Sequence, residues 1–397
     1  MQQTKSQPKS WQRVKLKDIT EKIASGGTPS RLHPEYFTSD REGNLWVKSK
    51  ELLDVAIEDT EEKITDDALN NSSAKYFPEH TVLIAMYGAN VGQLGWLKKR
   101  ATVNQAVCGL IIDDSKANWR YVFYSLLQNR DDLIVQARGA AQQNLNQDLI
   151  KNFEIVILEL ESQRMVGSIL AAYDDLIENN TKRIKILEQI AQAIYKEWFV
   201  YFRFPGHEKV KMVDSKTEFG KISEGWKVKK LGDNVDILRG KNITKDTVAP
   251  GKIPVVAGGI GPAYFHNKAN VGGPAITVSA SGANSGYINL YYEDIWASDC
   301  SYINKASTPF VFYYFLLLKS RQTEVTGLQR GSAQPHVYPK DLARLLVVDP
   351  PEELVRVFEE KAKSIFGMLK NLQLKNQNLR QARDLLLPKL VTGEIQV

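Results

Sequence analysis

The chain writes nearly one sentence twice, RGAAQQNL from Arg138 and RGSAQPHV from Arg330, and a sequence duplicated on that scale is expected to fold the same way two times. Upstream of the copies, YGANVGQLGWL from Tyr87 is echoed by SGANSGYINLY from Ser281. The order of the flanking segments repeats as well. Strand-like TVLIAMY from Thr81, the GANVG turn, TVNQAVCGLIID and helical YVFYSLLQNR from Tyr121 are matched by AITVSAS from Ala275, GANSG, DIWASDCSYI and helical FVFYYFLLLKSR from Phe310. Short β-rich runs broken by turn residues and followed by a helix read as a compact mixed domain. Two such domains are expected.

Each copy runs into a stretch of a different kind. From Ser162 to Phe202 there is one glycine and no proline, and Ile169, Tyr173, Leu176, Ile184, Leu187, Ala191, Ile194 and Trp198 recur at threes and fours, interrupted by the polar Asn180. That spacing puts them on one stripe of a helix, which would run roughly 60 Å before Pro205 and Gly206 stop it. The last fifty residues do the same. Pro350 and Pro351 open a helix, Glu352 and Glu353 suit its positive N-terminal end, and Leu354, Val357, Phe358, Ile365, Leu369, Leu372, Leu379 and Leu386 form its stripe, ending at Pro388 or soon after.

A long helix apolar on one side needs cover, and a second helix of similar length is the economical cover. An internal two-fold axis would make the pair antiparallel, with one globular domain near each end. The alternatives are that each helix packs on its own domain or joins a partner's bundle. The expected fold class is α+β: two mixed α/β domains related by pseudo-two-fold symmetry and separated by a pair of long antiparallel coiled-coil-like helices. The boundaries read as a first domain at 1–158, a first helix at 159–206, a second domain at 207–348 and a second helix at 349–397.

With 43% hydrophobic and 25% charged residues, the chain can build two ordinary cores. No apolar run reaches the roughly eighteen to twenty residues of a membrane span, and MQQTKSQPKSWQ lacks the apolar centre of a signal peptide. A cytoplasmic protein with no membrane partner is expected. Cys108 and Cys300 lie in strand-like runs, as small buried thiols do, and imply neither a metal site nor a disulfide.

Several chemistries lack their motifs. No G-x-x-x-x-G-K-[ST] string exists, and AGGIGPAY at Ala257 puts a proline where a phosphate-cradling helix would need N–H groups. Asp349-Pro350-Pro351-Glu352 imitates the base-gripping pocket of an adenine methyltransferase but lacks its stacking ring. The five histidines show no ligand spacing and no serine sits in a G-x-S-x-G elbow. Adjacent acids such as Asp174-Asp175 and Glu61-Glu62 read as solvated faces. The chain is expected to be no enzyme and to bind no cofactor or metal.

Two similar but non-identical domains held at a fixed separation suit a ligand with two features at a fixed separation, and duplex DNA is the commonest such ligand. Residues 205–345 carry 18 Lys and Arg against 12 Asp and Glu, which accounts for the whole net charge of +6. Each domain has loops with the side chains base edges require. In the first these are Thr28, Ser30, Arg31, Lys48, Lys50, Asn90, Lys98 and Lys99 beside Arg100, then Arg138, Gln142 and Asn144. In the second they are Arg239, Lys241, Asn242, Tyr264, His266, Asn267, Asn284, Arg330, Gln334 and His336. Structural roles stand beside these. The glycines of GANVG and GANSG can serve turn geometry alone, Arg138 and Arg330 can be internal salt-bridge residues, and Lys98-Lys99-Arg100 can be a solvated loop tip.

The order of variable domain, long helix, variable domain, long helix, with IYKEWFVYFRFPG after the first helix and LLPKLVTGEI at the second, resembles the specificity subunit of type I restriction-modification enzymes. IASGGTPSR and NLWVKSKEL are similar to one common class of that family's target-recognition domains, and ILRGKNI, IPVVAGG and WASDCSYI resemble another. The resemblance implies that each domain reads one half of a split asymmetric site in double-stranded DNA while the helices set the gap. It also implies two methyltransferase subunits, which themselves bind S-adenosylmethionine, and a motor-nuclease subunit for cleavage. A free-standing DNA methyltransferase or nuclease, or a coiled-coil scaffold binding only proteins, are the competing readings.

Overall fold

The computed structural model describes residues 11–40, 42–138, 144–331 and 335–397. In the first repeat β1 (Thr20–Ser25), β2 (Asn44–Val47), β3 (Val82–Ala85), β4 (Leu94–Leu97), β5 (Ala101–Val103) and β6 (Val107–Ile112) precede α1 (Trp119–Gln128). One sheet runs β1-β6-β3-β4, antiparallel throughout, with Val55–Ile57 added in parallel beyond β4. β3 is buried along its whole length, which is why Val82 to Ala85 read as a continuous apolar run rather than an alternating one. A second sheet of short strands centres on the parallel pair β2 and β5, with Thr102 opposite Trp46. The run TVNQAVCGLIID therefore serves two sheets: Asn104 accepts from Ala106 N and Val107 N and turns the chain out of β5 into β6.

The second repeat keeps this plan. Its helices and strands include α2 (Leu160–Tyr195), which leads into it, then β7 (Leu238–Arg239), β8 (Ile253–Val256), β9 (Ala275–Ser279), β10 (Ile288–Tyr291), β11 (Trp296–Ala297), β12 (Cys300–Asn304), α3 (Val311–Ser320) and α4 (Glu352–Val391). One sheet runs β7-β12-β9-β10 and the other pairs β8 with β11 in parallel, Val255 opposite Trp296. Each repeat is also closed by its ends. Gln12 to Lys15 pair antiparallel with Ile157 to Glu154, and Lys227 to Lys230 with Asp349 to Leu346. Cys108 and Cys300 are buried, and burial pushes both thiols up to about 12, so they pack rather than react.

The chain divides into two compact units, Met1–Asn179 with Lys375–Val397 and Asn180–Leu374, so each unit takes part of both long helices. In the first, Val166 and Leu170 of α2 share a core with Leu387, Leu390 and Val391 of α4, and further along Asn376 Nδ2 donates to Ile177 O at 3.3 Å. In the second, the Tyr195 and Trp198 rings lie 6.0 and 5.7 Å from that of Phe358, and Ala191 shares their core with Ala362 and Phe366. In both units residue numbers rise on one helix as they fall on the other, so the pairing is antiparallel. α2 widens into a π turn over Lys196–Val200, and α4 carries Pro388 in its last turn, where its carbonyl still accepts from Thr392 N at 3.0 Å.

The expected stripes need correcting at two places. Leu176 is 52% exposed and Val357 40% exposed, while the buried line of α4 runs Val355, Phe358, Ala362, Phe366, Leu369 and Leu372. Spacing by threes and fours does not decide which of two neighbouring apolar residues faces inward. No described helix is long and apolar enough to cross a membrane.

Candidate nucleic-acid interface

The first unit's loop cluster starts from two glycines. A Cβ on Gly26 would lie 1.8 Å from Val103 O and one on Gly27 would lie 2.3 Å from Ser73 Oγ, so only bare backbone passes here. The chain then emerges at Thr28, Pro29, Ser30 and Arg31. Gly26→Ala is expected to destabilise the unit by roughly 2–4 kcal/mol, because backbone rather than a flexible side chain must yield; thermal unfolding measures it.

Arg31 is held from two sides. Its guanidinium stacks 3.8 Å from the Phe37 ring centroid and its fork donates to both Glu62 oxygens at 2.7 and 2.8 Å. Lys48 Nζ reaches the same carboxylate at 3.2 Å, and Lys50 pairs with Glu61. The Arg31 hydrogen bonds, against the burial that opposes its charge, take the Glu62 carboxyl from 4.5 down to about 2. A carboxyl whose folded value is depressed contributes stability at higher pH and loses it on acidification. The contribution is therefore whole above about 4.5 and fades as pH falls toward about 2. Glu62→Gln is expected to flatten that part of the stability profile, read by urea unfolding at a series of pH values.

Asn90 joins this cluster, its Nδ2 donating to Ser49 O at 3.1 Å between the two lysines. Its turn does need the glycines for geometry: Gly88 and Gly92 have φ of 89° and 80°, and Gly282 and Gly286 have 79° and 83°. Just beyond each repeated RG-x-A-Q segment the chain returns to these hairpins. Leu145 N donates to Met86 O at 2.9 Å, and Val337 N to Ala280 O at 3.0 Å. Exposed Asn144 thus sits beside the first turn, while Gln142, Gln334 and the Arg138 side chain lie outside the described residues. Lys98 is committed elsewhere, donating to both oxygens of Glu178 on α2 at 2.6 and 2.8 Å. Lys99 is exposed, and Arg100 stacks 4.6 Å from the Tyr76 ring.

In the second unit the organising group is Asp299. It accepts from Arg239 Nη2 at 2.5 Å and from the Ser281 hydroxyl, and Ser281 bridges to His336. Arg330 and His336 exchange backbone hydrogen bonds of 2.9 Å each, and Arg330 Nη2 lies 2.7 Å from Asp341 Oδ1. Arg239, Ser281, Arg330 and His336 therefore form one connected edge, with Asn284 exposed on the adjoining turn. Lys241 and Asn242 are exposed beyond β7, where the Lys241 carbonyl accepts from Trp296 Nε1 at 2.8 Å. Tyr264 donates its hydroxyl to Ile243 O at 2.8 Å. His266 is 7% exposed, its Nδ1 accepting from Ala249 N at 3.1 Å and its ring edge-on to Trp296, so it walls the loop, while Asn267 beside it is exposed.

The carboxylates that aim the arginines were missed in the sequence. Glu62 was visible only in an acidic pair that reads as solvated, and nothing near Asp299 marks it. Among the described residues no group of three or more His, Cys, Asp or Glu could hold a metal ion. The two clusters offer donors in preset directions, which suits the acceptor edges of bases and phosphate oxygens.

Residues 8–189 and 223–381 match the family model described as the type I restriction modification DNA specificity domain. The chain is 27% identical over 420 residues to the type I restriction enzyme MjaIX specificity subunit of Methanocaldococcus jannaschii, covering 98% of this chain and 94% of that protein. It is 23% identical to the HindI specificity subunit of Haemophilus influenzae, over 69% of this chain and 77% of that one. The crystal structure of a type I restriction-modification S subunit from M. genitalium has the same fold, with a TM-score of 0.63, 16% identity and 98% of each chain covered.

Proposed function

Since the chain belongs to the type I restriction modification DNA specificity family, we propose that it is the DNA-reading subunit of a type I restriction-modification complex, each mixed domain reading one half of a bipartite asymmetric site and the long helices setting the unread gap. The chain makes and breaks no bonds itself. Two methyltransferase subunits, which bring their own S-adenosylmethionine, modify the site, and motor-nuclease subunits cleave DNA that lacks the mark. The work is done in the cytoplasm, where the DNA is. The exchangeable readers are residues 1–158 and 207–348, and the spacers 159–206 and 349–397.

The observation that carries this reading is one scaffold used twice with different side chains at its loops. The first copy aims Arg31 from a carboxylate at Glu62, whereas the second aims Arg239 from Asp299. Loops that differ on a shared framework are what two readers of different half-sites need. The test uses the chain assembled with its methyltransferase subunits. Arg31→Met and Arg239→Met are each expected to cost roughly 1–3 kcal/mol of discrimination at one position in one half-site. Competition binding with single-base variants of the site, across a salt series, separates this from a uniform loss caused by a missing phosphate contact. An assembled complex with no salt-dependent DNA binding would instead favour a protein-binding scaffold.

A further inference from the structure

The two repeats fold alike but hold their long helices by unlike chemistry, position for position. Adding 192 to a residue number carries α1 onto α3, 119 to 311 and 128 to 320. The same shift carries Gly167 of α2 onto Glu359 of α4. In the first unit α1 is capped from within, Asn118 Oδ1 accepting from Tyr121 N at 3.2 Å. There α2 passes so close that a Cβ on Gly167 would lie 2.8 Å from that same Oδ1. In the second unit Phe310 stands in Asn118's place and makes no side-chain cap. Glu359 caps α3 instead, accepting from Phe312 N at 3.0 Å and Tyr313 N at 2.8 Å.

Two turns further along, the contrast repeats. Asp174 accepts from the Tyr124 hydroxyl and from Arg383 Nη1, both at 2.5 Å, and Tyr124 is buried. The 192-residue shift puts Leu316, Phe366 and Ala191 at these three positions, all buried in the second unit's core. An ionic set on one side answers an apolar set on the other.

We infer that these two sets are a pairing code: they dictate which part of each long helix docks on which mixed domain, and so exclude the pseudo-symmetric arrangement in which a helix takes its counterpart's seat on a second copy of the chain. Topology alone does not exclude it, because the sheets and the helices α1 and α3 correspond. In the exchanged arrangement Asp174 of one copy would meet Leu316 and Ala191 of the other and be buried with no donor, and Arg383 of one copy would face Phe366 of the other. Glu359 would have to enter the space where a single Cβ already comes within 2.8 Å of Asn118 Oδ1, and the N–H groups of α3 would lose their cap. A buried polar set that secures register and partner, rather than stability, is the best-attested use of such groups.

Tyr124→Leu, Asp174→Phe and Arg383→Ala together give the full-length chain the apolar set on both sides. Thermal stability is expected to stay near that of the unaltered chain, since a packed apolar set can replace a buried ion pair. Discrimination is expected to fall. Two copies with different affinity tags are unfolded, mixed and refolded, and the fraction of one tag recovered with the other is measured. That fraction should rise about tenfold over the unaltered chain. Phe310→Asn with Glu359→Gly, which copies the first unit's cap into the second, should raise it as well. Asp174→Arg with Arg383→Asp keeps a pair and should leave it low. A triple variant with a cooperative thermal transition and unaltered tag exchange overturns the inference; should that variant not fold, the Phe310–Glu359 variant decides in the same way.

Discussion

Replacing residues 11–158 with the corresponding region of another specificity subunit redirects methylation at one half of the recognised site and leaves the other half and the gap unchanged. The segment can be exchanged because its ends close on each other: Gln12 lies opposite Ile157 and Lys15 opposite Glu154, so the cut falls at the edge of a finished fold. It takes with it the whole Arg31, Lys48, Lys50 and Asn90 cluster. It must also keep the contacts that seat it on the helices. The Tyr121 hydroxyl donates to Val391 O at 3.1 Å, Tyr124 holds Asp174, and Lys98 holds Glu178. A donor segment with tyrosines at the first two positions and a lysine at the third is expected to fold in place; one lacking them would leave Asp174 with one donor fewer. Long-read detection of methylated adenines reads the outcome, and a change in both half-sites would show that the domains do not read independently.

Inserting four residues after Asn179 in α2 and four after Leu374 in α4 lengthens the recognised gap by one or two base pairs. These points fall where the chain passes from one compact unit to the other, so the helix contacts within each unit are left intact. Four residues add roughly 6 Å of helix and about one turn with some 40° left over. Base pairs rise about 3.4 Å, so the added length corresponds to nearly two of them, and duplex DNA turns by roughly 70° over two pairs at about 10.5 pairs per turn. The residual helix rotation is of that order, which is why four residues rather than two are chosen. A methylation pattern with the original gap would remove the helices from the role of spacer.

Much of this protein was legible from its residues. The duplicated RG-x-A-Q and GAN segments announced two copies of one fold, and strand order confirms it, down to the return of Leu145 and Val337 to the same backbone site on their hairpins. The long helices were visible as uninterrupted periodicity, and their antiparallel pairing followed from the duplication. Neighbouring choices were not legible. Val357 and Phe358 are both apolar, yet only Phe358 is buried. His266 looked like a loop residue available to a ligand and is instead packed against Trp296.

The sequence by itself determined the two long helices and the main strand-rich runs, that the fold occurs twice, and that nucleotide-driven and metal chemistry lack their motifs. All of these depend on residues a few places apart, whose spacing sets the period of an element and the side on which its apolar stripe lies. Only the tertiary structure decided which acid holds which arginine. Arg31 finds Glu62 across 31 residues, Arg239 finds Asp299 across 60, and Arg383 finds Asp174 across 209. Such partnerships depend on the path of the folded chain, and any carboxylate of that length would look the same from the sequence.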